Sequence, residues 1–139
     1  MKVDFLILAD GAQVAGDKLY VLGGGWTVVS ALKFPVTHNA SIAVGAMVEW
    51  QETNHKHGIE IALTSEGKQV GDPLVGGEFE VGRPPGMPAG ASQRFMLAAP
   101  VSLNLQMTGL YEIVVRVDGT DVVASCFQAI EVSTPGRTP

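Results

Sequence analysis

Apolar and polar residues alternate with a period of two along most of this chain. In "HNASIAVGAMVEW", Ile42, Val44, Ala46, Val48 and Trp50 share one face. "HGIEIAL" sets Ile59, Ile61 and Leu63 together with Glu60 opposite, and "LYEIVVRV" sets Tyr111, Ile113, Val115 and Val117 against Glu112 and Arg116. Strands with one buried face have this pattern, because successive side chains point to opposite sides of a sheet. β-Branched residues crowd the same segments, where they pack well against cross-strand neighbours. No helical period is sustained. The nearest candidate, "SQRFMLAAPVSLNLQM", is interrupted by Pro100 and returns to alternation. The pattern predicts an all-β chain: an immunoglobulin-like antiparallel β-sandwich of about eight strands. Its expected core is Leu6, Leu8, Leu19, Val21, Ile42, Val44, Val48, Ile59, Ile61, Phe95, Leu103, Leu105, Tyr111, Ile113 and Val115.

Turn chemistry divides the strands. "SEGK" (Ser65 to Lys68) and "VDGT" (Val117 to Thr120) carry residues that tolerate positive φ, as tight hairpins require. The firmest hairpin joins Gly109–Val117 to Asp121–Val132 through Asp118-Gly119. One long segment lacks a period: "GRPPGMPAGAS", Gly82 to Ser92, which reads as a crossover or a functional loop. Residues 1–133 form the expected single sandwich domain, and 134–139 a flexible C-terminal tail.

Composition narrows the classes of function. Apolar residues make up 46% and charged residues 17%, the reverse of a disordered chain. The net charge is −5, and the nine Lys and Arg are scattered. A nucleic-acid partner would call for a basic stripe, and an anionic membrane for a polybasic patch. The run Phe5 to Ala9 is too short for a signal-peptide core, and no apolar segment reaches transmembrane length. These features lead us to expect a cytoplasmic protein with neither a nucleic-acid nor a membrane partner. The single cysteine, Cys126, precludes an internal disulfide and a cysteine-based zinc site. Its setting in "VVASCFQAI" predicts a core thiol.

The glycine triplet of "ADGAQVAGDKLYVLGGGW" is not a phosphate loop. It lacks the lysine, the hydroxyl and the following helix that such a loop needs. Nor does it match a dinucleotide fingerprint. It reads instead as a strand from Phe5 to Ala9, a turn-rich link "DGAQVAGDK", a returning strand, and a corner at glycines 23 to 25 covered by Trp26. "FLILADGAQVAGDKLYVLGGGW", together with the late "GLYEIVVRVDGTDV", resembles a bacterial family of small β-sandwich proteins of unassigned function. The resemblance covers most of the chain, with Phe5 to Trp26 its specific part. It implies the fold and carries over no catalytic residue.

Candidate chemistry is sparse. His55 and His57, two apart, would share one face on a strand and could begin a metal site, with His38, Glu49, Glu52 or Glu60 as a third ligand. The His-x-His spacing is that of cupins, but no later histidine follows "HKHGIE". The aspartates sit in turns without a calcium-loop run. No serine or cysteine has a nucleophile's context, and no carboxylate pair is marked for glycoside hydrolysis. Trp26 and Trp50 are candidate residues of an interaction surface. Low charge content favours exposed apolar area, and sandwich edges favour pairing, so a homodimer is expected. The reading is a non-enzymatic protein-interaction or assembly module without a cofactor, binding through a sheet face or loop rim. The alternative is a small-molecule or metal-binding sandwich, with a hydrolase the more distant option.

Overall fold

The alternating segments form ten strands in the computed structural model, which describes residues 1–133; the expected tail lies outside the described residues. They are β1 Lys2–Ala15, β2 Lys18–Gly24, β3 Val28–Ala31, β4 Val36–Val48, β5 Lys56–Ser65, β6 Lys68–Gln69, β7 Val75–Glu80, β8 Gln93–Leu105, β9 Gly109–Val117 and β10 Thr120–Glu131. One sheet has the order β2-β1-β4-β8. The other runs β3-β10-β9-β5-β6, with β7 also paired to β5. The chain crosses between the sheets after β2, β3, β4, β7 and β8, a β-sandwich of immunoglobulin-like arrangement. Pairing is antiparallel except between β3 and β10, which run parallel. The expected hairpins are present: Glu66-Gly67 joins β5 to β6, and Asp118-Gly119 joins β9 to β10, all four residues at positive φ.

The core lies between the sheets. Ile42, Val44, Leu103 and Leu105 meet Ile61, Ile113, Val115 and Phe127 there, all at most 1% exposed. Tyr111 stacks on Phe127 with ring centroids 5.6 Å apart, and Phe79 of one sheet stacks on Phe95 of the other at 4.0 Å. The Tyr111 hydroxyl donates to the Met107 carbonyl at 2.8 Å. This tyrosine corner, at the start of the strand entered from β8, explains the late Gly-x-Tyr motif. Leu6 and Phe95 are partly buried against the core. Leu19 and Val21 lie outside the core cluster, contrary to expectation, because β2 pairs with β1 alone and leaves the sandwich.

The link "DGAQVAGDK" is likewise different from its expected form. Its residues to Ala15 continue β1, and the turn is only Gly16-Asp17, with φ of 58° and 61°. Pairing of β1 with β4 stops at Ala9–Ser41, whereas pairing with β2 goes on to Ala15–Lys18. The excess forms a hairpin arm. From Lys2 to Val14 a straight strand would rise about 40 Å. Lys2 is paired with Met47, yet Val14 and Asp17 border the same groove as Met47 and Met96. Close approach of β1 to β8, with β4 between them in the sheet, agrees. The arm therefore doubles back over the outer face of the four-stranded sheet. Ala43 at 0% and Ser41 at 7% exposure, on the face of β4 opposite Ile42 and Val44, show that this outer face is covered.

The glycine triplet is the corner that permits the reversal. A Cβ at Gly24 would lie 2.6 Å from Val21 Cγ1 and 3.2 Å from Ile7 Cγ2. At Gly23, whose φ is 62°, it would collide with the Asp10 carboxylate. The corner is thus a close approach of backbone and side chains, as the sequence suggested, but Trp26 does not roof it. Trp26 turns inward, edge-on to Phe127 at 6.1 Å and to His38 at 5.5 Å. Gly24→Ala is expected to destabilise the fold by about 1–3 kcal/mol. Gly11→Ala, where a Cβ meets nothing within 4 Å, is expected to stay within about 0.5 kcal/mol of wild type. Urea denaturation of both variants checks the pair, and equal effects would refute the crowded corner.

Candidate functional site

The Gly82–Ser92 segment, without regular structure, is ordered by its own turn residues. The Met87 N–H donates to the Pro84 carbonyl and the Ala91 N–H to the Pro88 carbonyl, each at 3.2 Å. Gly86 and Gly90, with φ of 87° and 84°, occupy the third place of each turn. Two type II turns therefore follow in tandem, each with the left-handed residue that type requires. The root of the loop is clamped. Arg83 Nε donates to Thr53 Oγ1 at 2.6 Å and its Nη2 to the Trp50 carbonyl at 2.8 Å. Its guanidinium lies 3.9 Å over the Trp50 ring, a stacked cation–π contact. The Asn54 N–H reaches the Val81 carbonyl at 2.8 Å.

His57 holds the short segment to which the loop root is tied. As the alternation of β5 requires, it shares the inward face with Ile59 and Ile61 and is buried. Its Nε2 lies 2.8 Å from the Glu52 carbonyl and its Nδ1 2.9 Å from Asp118 Oδ2. Asp118 Oδ1 also accepts the Gly58 N–H at 2.9 Å. Both ring nitrogens face acceptors, so the imidazolium form satisfies both bonds. The Glu52 carbonyl first, then the Asp118 carboxylate, hold His57 above its ordinary range. His57, followed by the Gly58 N–H, holds Asp118 below its own.

The hairpin arm, the loop and the start of β8 enclose a groove of about 1000 Å³. Val14, Met47, Met87, Phe95 and Met96 give it an apolar lining, with Gln93 among them. Gln93 is 8% exposed, and its side-chain nitrogen has no hydrogen-bond partner. Arg94, at the same groove, is bound to Asp4 at 2.5 Å, and this contact lowers the Asp4 carboxyl below its usual range. The groove contains neither a histidine nor a cysteine beside its one serine, Ser92. Asp17, Glu80 and Arg83 line it as well.

The structure separates the residues singled out in the sequence. His55 is exposed in the turn before β5, whereas His57 points inward with both nitrogens engaged, so the two imidazoles do not converge. Among the described residues no group of three His, Cys, Asp or Glu side chains is arranged to hold a metal. Trp26 is partly buried at the core and Trp50 lies under Arg83. Trp50 leaves the β4 face because the strand stops at Val48 and Glu49 caps a short 3-10 turn, Trp50–Glu52. Cys126 is exposed, not a core thiol. On β10, Phe127 and Ala129 take the inward places, which leaves Cys126 outward with Gln128. Its thiol lies 3.6 Å from Glu112 Oε2, and partial desolvation at the sheet surface, followed by that carboxylate, raises its pKa. The arm, the methionine-lined groove and the His57–Asp118 pair were not recognised in the sequence, although the period of β5 placed His57 with Ile59.

An immunoglobulin-like β-sandwich with a loop-rimmed apolar groove is the class that fold and site define. The chain belongs to a family of unknown function, DUF6941, whose model matches residues 4–129. No curated protein sequence matches it. Among solved structures it is similar to Pseudomonas fluorescens alkylpurine DNA glycosylase AlkC bound to DNA containing an abasic site analog. That similarity covers 74% of this chain and 27% of the glycosylase chain, at 14% identity and a TM-score of 0.38. A likeness so slight supports no conclusion about fold or DNA.

The His57–Asp118 contact sets a pH dependence. With its pKa raised from 6.5, His57 contributes fully below pH 6.5 and progressively less as pH rises through its higher folded value. With its pKa lowered from 3.8, Asp118 contributes fully above pH 3.8 and less as pH falls through its lower folded value. Their joint contribution therefore peaks between these limits. Thermal melts of wild type are expected to lose stability above pH 6.5, and Asp118→Asn to flatten that slope. An unchanged slope in the variant would refute the assignment.

Proposed function

We propose that this protein is a non-enzymatic interaction module that receives a segment of another polypeptide in the groove between the hairpin arm and the Gly82–Ser92 loop. The observation that carries the reading is the lining: three methionines, from β4, the loop and β8, on one channel. Unbranched thioether side chains adapt to varied apolar partners. Arg83 and Arg94 are held at the same groove by Trp50 and Asp4, in position to meet carbonyl or carboxylate groups of a guest.

The opposite outer face supports the same choice of surface. Arg116 binds Glu60 and Asp121 there, each at 2.8 Å, and the Gln69 side chain at 3.1 Å. The charged groups of this cluster are thus paired with one another. Met87→Asp, at a loop position 36% exposed, is expected to leave the fold intact and reduce captured partner by about tenfold or more. Affinity capture from the native cell with wild type and variant side by side checks this. Equal recovery of the same proteins would refute the groove as the binding surface.

A further inference from the structure

We infer that β2 is a self-pairing edge, through which two copies of this chain join their four-stranded sheets into one continuous sheet. The inference concerns a different surface from the groove, so either can fail without the other.

Sheet edges in monomers are ordinarily blunted by proline, charge or shortness, because their free N–H and C=O groups invite another strand. The other edges here have such devices. Pro100 lies within β8. β7 carries Glu78 and Glu80, β6 has two residues including Lys68, and β3 has four residues. From Leu19 to Leu22, β2 has neither charge nor proline. It lies at the end of its sheet, and Tyr20 and Leu22 are 56% and 75% exposed.

The hairpin defines which backbone groups are free. Gly16-Asp17 is a two-residue turn with both φ positive, and it closes on the pair Ala15–Lys18. In such a hairpin the closing pair is hydrogen-bonded, and bonded and non-bonded pairs then alternate. Lys18, Tyr20 and Leu22 thus spend their backbone groups on β1. Leu19 and Val21 direct theirs outward.

A second copy fits these free groups in one register. Antiparallel pairing about a two-fold axis at Val21 sets Val21 against its own copy as a bonded pair. Tyr20 then lies opposite Leu22 of the second copy, and Leu22 opposite Tyr20, as non-bonded pairs whose side chains approach most closely. Lys18 meets Gly24, so no like charges oppose each other along the edge. This matters because each copy carries a net charge of −5, which disfavours approach through most of the remaining surface. The contact is isologous, as a closed dimer requires.

Sedimentation equilibrium of the full chain tests the inference. Wild type is expected at twice the 14.6 kDa chain mass in the micromolar range. Val21→Pro removes an N–H that β1 does not use, and it is expected to give a folded monomer. The double variant Tyr20→Glu, Leu22→Glu changes only exposed side chains and guards against misfolding by proline. It sets carboxylates opposite one another and is expected to weaken self-association by about a hundredfold or more. Mixing it with the variant Tyr20→Lys, Leu22→Lys is expected to restore a dimer containing one of each. A wild type that stays monomeric at about 100 μM, a dimer indifferent to the acidic pair, or a mixture that fails to pair would each overturn the inference.

Discussion

The close approach at Gly23 and Gly24 is the constraint on which the rest of the molecule's surface depends. A sandwich strand normally ends with its sheet, but β1 continues past its last β4 partner and needs somewhere to go. Residues without a Cβ let it fold back against Ile7, Val21 and Asp10. That reversal covers Ser41 and Ala43, brings Val14 beside Met47 and Met96, and leaves β2 projecting with one side unpaired. The covered sheet, the groove and the open edge are three results of one corner.

A second constraint runs through polar groups. Asp118 in the β9–β10 turn fixes His57, and His57 fixes the Glu52 carbonyl. One residue on, Thr53 bonds the Trp50 carbonyl and accepts Arg83, the root of the proline-rich loop. The His57 imidazole is thereby placed at the base of a chain of contacts ending at the groove wall. Every member has a partner, the condition under which a partly buried polar network holds one conformation.

Much of this architecture was legible in the sequence. Period-two segments located the strands, Asp-Gly and Glu-Gly the tight turns, and the absent lysine and helix removed the phosphate loop. Other features escaped for physical reasons. "DGAQVAGDK" is rich in turn residues, yet its alanines, glutamine and valine pair as strand up to a two-residue turn, because tertiary cover on one side outweighs local preference. Cys126 was misplaced because both faces of "VVASCFQAI" carry small apolar residues, and only Gln128 marks the outward one. The site was less legible still. Its methionines come from three distant segments, and methionine at an alternating position does not distinguish groove from core. His57 and Asp118 lie 61 residues apart. The two-residue spacing of the histidines drew them together, while the strand boundary at Lys56 set them apart.

The tandem turns of the Gly82–Ser92 loop bear on thermodynamics as well as shape. Three prolines and two closed turns restrict this segment before any guest arrives. An ordinary loop of eleven residues would have to surrender backbone freedom on binding, and that entropy would be subtracted from affinity. Here most of it is relinquished during folding. A guest would meet a wall already in place, so the entropic penalty of its capture would fall chiefly on the guest.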